Sequence, residues 1–262
     1  MYPAVMVPPG SHPPSFVRLA AHPLRWRLLT ELAASDYRVR ELVERLGQPQ
    51  NLVSYHLRLL RGGGLVSANR SSADGREGYY HLDLDRCAQA LAGVGVALHP
   101  ALRLDATPPV AMGAEGSHPP SVLFVCTGNS ARSPITEALL RHRTGGRVEV
   151  TSAGSHPKPR IHPNTARVLR DEFGIDINLA GQRPRHLDTL AGRRFDYVIS
   201  LCDKVREVCP EFGHHSRRIH WSIPDPATAG GTDQASYPAF RRTAKVIDTR
   251  IRHLLPVLAH TP

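Results

Sequence analysis

The sequence predicts two folded units of different class: a mainly helical unit closed by a β-hairpin over residues 16–97, and an α/β unit on a parallel sheet over residues 120–262. Three observations carry this expectation. Apolar residues at helical spacing fill the first third and then give way to two short strand-like runs. Apolar, β-branched runs alternate with amphipathic stretches through the second half, which implies a parallel sheet covered on both faces. The hexapeptide Gly-Ser-His-Pro-Pro-Ser stands at 10–15 and again at 116–121, each time just before a patterned segment. It is too short to fold as a repeat and reads as linker marking where each unit starts. Residues 1–15 therefore read as a disordered proline-rich tail, and 98–119 as a proline- and glycine-interrupted linker.

At 262 residues and 41% hydrophobic content the chain can bury more than one core. Met1 to Pro14 has no basic region, and no apolar run approaches the ~20 residues that span a bilayer, so neither secretion nor membrane insertion is expected. Four cysteines are too few for a disulfide scaffold and fit a reducing cytoplasm. The formal net charge is +10, of which +3 falls in residues 1–110 and +7 in 111–262. Basic surface of this kind attracts an anionic substrate as readily as DNA.

In the first unit Phe16, Leu19, Leu24, Leu28, Leu29 and Leu32 form one apolar stripe, and Val39, Leu42, Val43 and Leu46 form a short second helix that Gly47 ends. A third helix follows from Gln48 to Gly62. Leu65-Val-Ser and Gly78-Tyr-Tyr-His-Leu flank the polar turn Arg70–Arg76 and read as a two-stranded wing. Helix, short helix, turn, helix and wing make a winged helix-turn-helix. The core Ser54-Tyr55-His56-Leu57-Arg58-Leu59-Leu60 resembles the recognition helix of ArsR-type metal-sensing repressors. In such a helix Gln50, Asn51, Ser54 and Tyr55 face base edges of an operator, while Arg58, Arg61, Arg70 and Arg76 suit phosphates. A protein-interaction module is the alternative. The resemblance implies a homodimer through this unit, but departs at the sensor. The stretch Tyr37–Arg45 has no cysteine, and Cys87 alone cannot make a three-sulfur arsenite site. His81 and His99 are the other candidates for a metal there.

The second unit turns on Ser121-Val-Leu-Phe-Val-Cys126-Thr-Gly-Asn-Ser-Ala-Arg132-Ser133-Pro134. A buried strand ends at a cysteine, and a glycine-containing loop leads into a helix opened by proline. Backbone N–H groups of Thr127, Gly128, Asn129, Ser130, Ala131 and Arg132, with the positive helix end, can converge on one tetrahedral anion. Arg132 can clamp two of its oxygens. The same field should lower the Cys126 pKa from about 8.5, giving thiolate, with Ser133 donating to the sulfur. Later elements are a helix from Ile135 to His142, strand Val148–Ser152, helix Pro163–Phe173 ended by Gly174, strands Tyr197–Leu201 and Arg218–Ser222, and a closing helix from Tyr237 to Leu258.

The Cys-x5-Arg-Ser pattern resembles the low-molecular-weight protein tyrosine phosphatases and the arsenate reductases built on the same fold. The resemblance implies a four-stranded parallel sheet in order 2-1-3-4, with the anion at the switch point between the first and third strands. It makes Cys126 the nucleophile and Asp225, in Asp225-Pro226, the general acid. Cys202 and Cys209, seven apart, match the second and third thiols of thioredoxin-coupled arsenate reductases, and topology would bring Cys202 near Cys126. On the residues alone, Cys202 and Cys209 are also open to being packing cysteines, or zinc ligands with His214 and His215, although a gap of six residues is wide for zinc. Asn129, Glu137 and Ser152 match three positions of a potassium site whose fourth falls in Gln182-Arg183-Pro184.

The expected whole is a cytoplasmic fusion acting in arsenic resistance: a winged-helix transcriptional regulator joined to an arsenate reductase with a redox-active disulfide. Thioredoxin is its external reductant, and no resident cofactor is expected. Two rivals stay open: a tyrosine phosphatase with a DNA-binding domain, and an oxyanion-responsive regulator without turnover.

Overall fold

The computed structural model describes residues 12–72, 77–103, 119–177, 182–210, 212 and 216–259. Arg76, His214, His215 and most of the tail and linker lie outside the described residues. Contacts group the chain into two compact units, one within 1–33, 39–67 and 82–107, the other within 34–38, 68–81 and 108–262.

The first unit holds α1 (Ser15–Ala20), α2 (Pro23–Ala34), α3 (Val39–Leu46), α4 (Gln50–Gly62) and α5 (Leu84–Leu98). The single stripe expected from Phe16 to Leu32 is two helices. Pro23 lacks an N–H and can open α2 but not continue α1, and His22 Nδ1 instead accepts from Leu24 N at 3.2 Å. Leu24, Leu28, Leu29, Leu32, Leu42, Leu46, Leu57 and Leu60 are buried together with Val53. On α4 the buried positions Val53, His56, Leu57 and Leu60 follow the i, i+3, i+4, i+7 rule of one helix face. The same period leaves Gln50, Asn51, Tyr55, Arg58 and Arg61 exposed and Ser54 half-buried. Burial, helped by His22 and Arg25, holds His56 below the usual histidine range, and its ring lies 4.3 Å from that of His22. On α5, burial with Asp83 nearby pushes the Cys87 thiol up to about 11, so it stays protonated.

Most of a small sheet lies in the second unit: β1 (Tyr37–Arg38), β2 (Val66–Arg70) and β3 (Gly78–Leu82), in order β1-β3-β2. The expected two-stranded wing thus gains a third strand, pairing Tyr37 with Tyr80 and Arg38 with Tyr79 antiparallel. Two residues are too few to show alternation, which is why β1 is invisible in the sequence.

The main sheet comprises β4 (Ser121–Cys126), β5 (Glu149–Gly154), β6 (Tyr197–Ser200) and β7 (Arg217–His220). It is parallel, in order β5-β4-β6-β7, which is the order 2-1-3-4 in chain sequence. Its helices are α6 (Arg132–Thr144), α7 (Pro163–Phe173), α8 (Asp203–Val208) and α9 (Asp233–Ala259). Residues 122–125 are all fully buried, as a central parallel strand requires. Phe240, Ala244, Ile247, Ile251, Leu254 and Leu255 of α9 face the same core. Gly174 caps α7 at φ 66°, a left-handed position where glycine carries no Cβ penalty. The six-residue α8 was not expected, because its one and a half turns leave no periodicity to read.

Within this unit, residues 35 and 36 join the edge of β7. Asp36 N donates to the His220 carbonyl at 2.9 Å, and His220 N donates to Ser35 Oγ at 2.9 Å. The buried Asp36 carboxylate is fully satisfied: Arg250 clamps it with both terminal nitrogens at 2.9 Å, and Ser222 N donates at 2.7 Å. No described helix is long and apolar enough to cross a membrane.

Candidate active site

The parallel register sets the site. Val125 of β4 pairs with Ser200 of β6, so both strands leave the sheet at the same level; the thiol of Cys126 comes one residue after Val125 and that of Cys202 two residues after Ser200. Both are buried. Cys202 Sγ lies 3.3 Å from Thr127 Oγ1, on the loop that Cys126 begins.

That loop is held from outside. Ser155 N, His156 N, Lys158 N and His162 N donate to the carbonyls of Cys126, Thr127, Gly128 and Ser130 at 3.3, 2.9, 2.9 and 3.0 Å. In a trans peptide the N–H points away from the carbonyl, so with these carbonyls committed outward the loop amides turn inward. Asn129 N donates to Cys126 Sγ at 3.2 Å. Asn129 itself sits at φ 42°, in the sparsely populated left-handed region, and it is the described non-glycine residue found there. Its side chain keeps it there. Oδ1 accepts from Arg185 N at 2.7 Å, which turns Nδ2 toward Ser133 Oγ and Ser152 Oγ, each at 2.9 Å. Because Ser133 Oγ already accepts from Asn129, its own hydrogen is available to donate to Cys126 Sγ at 3.0 Å.

Arg132 stands at the start of α6, almost wholly buried. Nη1 donates to the Ile223 carbonyl at 3.0 Å and Nη2 to Asp225 Oδ2 at 2.7 Å, while Nε is buried with no partner among the described residues. Burial opposes its charge, but the neighbouring Cys126, Cys202 and Asp225 outweigh that and push its pKa up. Asp225 caps the short turn after β7 and is about a third exposed at 36%.

Cys209 is not brought to the pocket. It closes α8 at the far end from Cys202, half-buried, with its carbonyl accepting from Arg218 at 2.9 Å. Burial pushes its thiol pKa up, and Arg218 only partly opposes this. Of the potassium-site positions, Asn129 and Ser152 meet, whereas Glu137 is engaged by Arg141 at 2.6 Å.

Sequence reasoning missed several supporting residues. Next to Cys202, Asp203 is buried and takes Ser72 N at 2.6 Å and Ser72 Oγ at 2.9 Å on one oxygen, and His220 Nε2 at 3.0 Å on the other. His220 Nδ1 meets Ser200 Oγ at 2.8 Å. Burial alone would raise the Asp203 pKa, but the hydrogen bonds from His220, Ser72 and Ser222 win and hold it at about 2. These partners lie far apart in sequence and carry no motif. Gly154 does carry a signal, a glycine ending a buried strand.

A parallel sheet whose first strand delivers a buried thiol into an inward-facing amide loop with a buried arginine defines a thiol-based, oxyanion-binding α/β protein. Residues 121–261, more than half of the chain, match the low molecular weight phosphotyrosine protein phosphatase model, and the chain belongs to that family. Residues 22–68 match the bacterial regulatory protein, arsR family. Among its relatives are the arsenate reductases of Halalkalibacterium halodurans and Shouchella clausii. Each is 35% identical over 131 residues, covering 50% of this chain and 91% of theirs. The arsenate reductase of Bacillus subtilis is 33% identical over the same shares. A solved arsenate reductase in the phosphate binding state is 29% identical, with 53% of this chain and 98% of that one covered at a TM-score of 0.45.

Two outcomes follow for variants of this site. A Cβ at Gly154 would stand 2.6 Å from the Thr127 carbonyl and 2.9 Å from Asn129 N, backbone atoms that cannot step aside. Gly154→Ala should therefore lose about 1–3 kcal/mol in urea unfolding. The Asp203 carboxylate contributes stability above its unfolded pKa of about 4, and that contribution should be lost as pH falls toward about 2. Unfolding followed from pH 5 to 2 should be steeper for the parent chain than for Asp203→Asn.

Proposed function

We propose that the chain is an arsenate reductase joined to an ArsR-type DNA-binding unit, with three thiols, Cys126, Cys202 and Cys209, passing the oxidising equivalent outward to thioredoxin. The observation that carries this reading is the second buried thiol, Cys202, at the hydroxyl of Thr127 on the loop that starts with Cys126. A hydrolytic phosphatase needs one thiol and water; a reductase must draw two electrons from thiols. The names of the relatives support the same reading.

In this reading arsenate sits in the loop of Thr127 to Arg132, its charge met by the inward amides and by Arg132, whose Nε is a buried donor without a partner among the described residues. The Cys126 thiolate, held by Asn129 N and Ser133 Oγ, attacks arsenic. Asp225, beside Arg132, protonates the departing oxygen, which leaves as water. The Cys202 thiolate then attacks Cys126 Sγ. The S–S bond forms, the S–As electron pair stays on arsenic, and As(V) departs as As(III) arsenite. Attack of Cys209 on Cys202 Sγ frees Cys126 and leaves a Cys202–Cys209 disulfide, which the dithiol of thioredoxin reduces.

The last exchange demands a rearrangement. A disulfide needs Cα atoms about 4.4–6.8 Å apart. Seven residue steps at a rise of about 1.5 Å along α8 separate the two by roughly 10 Å. Helix α8 must unwind, and a six-residue helix is marginal enough to do so. Unwinding also exposes Cys209, removing the burial that keeps its thiol protonated.

For the regulatory half, the exposed Gln50, Asn51, Tyr55, Arg58 and Arg61, with half-buried Ser54, support an operator-reading face on α4. Leu91, Val96 and Leu98, exposed on α5, suit contact with a second copy.

Arsenate-dependent NADPH oxidation coupled through thioredoxin and its reductase, run beside aryl phosphate hydrolysis, tests the reading. The parent chain should turn over arsenate steadily, and Cys209→Ser should complete at most one turnover. Steady thioredoxin-driven turnover by Cys209→Ser refutes the relay; fast aryl phosphate hydrolysis that survives loss of Cys202 makes the protein a phosphatase.

A further inference from the structure

Helix α8, which must unwind between the two outer thiols, is also what holds the β2–β3 wing. Three of its six residues reach the small sheet and its wing. Asp203, its first residue, takes both the amide and the hydroxyl of Ser72, which stands just beyond β2, at 2.6 and 2.9 Å. The Arg206 guanidinium lies 5.3 Å from the ring centre of Tyr79 on β3 and 5.9 Å from that of Tyr37 on β1. Glu207 lies 4.0 Å from Arg38 of β1, which also pairs at 3.2 Å with Glu77, just before β3. The anchor is deep. Tyr79 is fully buried and its ring lies 4.7 Å from that of His220, the residue that holds the other oxygen of Asp203.

From this juxtaposition we infer that α8 is a redox-operated latch on the wing: forming the Cys202–Cys209 disulfide unwinds α8, withdraws Asp203, Arg206 and Glu207 from the wing, and frees Ser72. The inference rests on the three-thiol reading above and extends it, since it gives enzyme turnover a direct outlet to a DNA-contacting element. The electrons balance within that scheme: the two lost by Cys202 and Cys209 are the two that arsenic gains, and reduction by thioredoxin closes the latch again. The charge logic agrees. A charge-assisted bond from the Ser72 amide to Asp203 is among the stronger single contacts available to a hairpin edge, and it exists only while the first turn of α8 is formed. A disulfide between Cys126 and Cys202 alone leaves α8 intact, so the signal appears only when the relay reaches its outer pair.

Amide hydrogen exchange resolved at Ser72 in the full chain tests this. One equivalent of arsenate is added to the reduced protein, and mass spectrometry identifies the disulfide. Exchange at Ser72 should become at least tenfold faster once Cys202–Cys209 has formed, while Leu123 in β4 keeps its protection, which separates latch release from general loosening. In Cys209→Ser the same addition should leave Ser72 as slow as in the reduced chain. Unchanged exchange at Ser72 with the Cys202–Cys209 bond in place overturns the latch. If arsenate leaves the thiols free, it is the relay that fails; the bond is then made with diamide, and the same two exchange outcomes decide the latch. Failure of both oxidants to form this bond overturns the latch as well.

Discussion

The site depends on one asparagine held in an unfavourable backbone conformation. Asn129 at φ 42° sits among four amides, those of Thr127, Gly128, Asn129 and Ala131, that turn inward because the carbonyls before them are bound outside, and such a conformation persists only when its surroundings over-determine it. They do so here with three contacts at 2.7–2.9 Å, to Arg185 N, Ser133 Oγ and Ser152 Oγ, drawn from a loop, from α6 and from β5. The fork also fixes the direction of the Ser133 hydroxyl, and with it a hydrogen bond to Cys126. Loop shape and thiol environment are therefore set by the same side chain. Gly154 completes the constraint, because the strand beside the loop approaches too closely for any side chain.

From that fixed point the sheet does the rest. Parallel pairing of β4 with β6 brings two thiols to the same end of the sheet without any sequence proximity, since 75 residues lie between Cys126 and Cys202 in the chain. The third thiol is held away, across a helix short enough to yield. This separation gives the proposed relay an order: the inner pair can react in the folded state, and the outer pair only after α8 opens. The Asp203 carboxylate marks the division, being bound by His220 from β7 and by Ser72 near the wing.

Much of this was legible in the sequence because the signals were local. Strand β4, the loop and the start of α6 form one continuous segment with a strong pattern, and Pro163–Phe173 with its glycine cap was readable to the residue. Helices α1 to α4 of the first unit were readable from leucine spacing, except where Pro23 divides one stripe in two, whereas α5, a run of small residues with few leucines, was not read. What else escaped was either too short or too distant. Strand β1 has two residues and α8 six, below the length at which a period can be seen. The Asn129 fork, the Asp203–His220–Ser200 chain and the Asp36–Arg250 clamp join residues whose partners are set by the fold, and nothing in either partner's neighbourhood announces the other. Cys209 shows the limit from the other side: its spacing from Cys202 is plain in sequence, yet only the helix between them shows that the two cannot bond as they stand.

The account stands on the inner pair of sulfurs reacting with each other. The most direct measurement is mass spectrometry of the Cys209→Ser chain after a single equivalent of arsenate, with peptides mapped before any reductant is added. The account predicts one equivalent of arsenite and a peptide linked through Cys126 and Cys202. Arsenite released with those two thiols still free, or a link that instead involves Cys87, would contradict it.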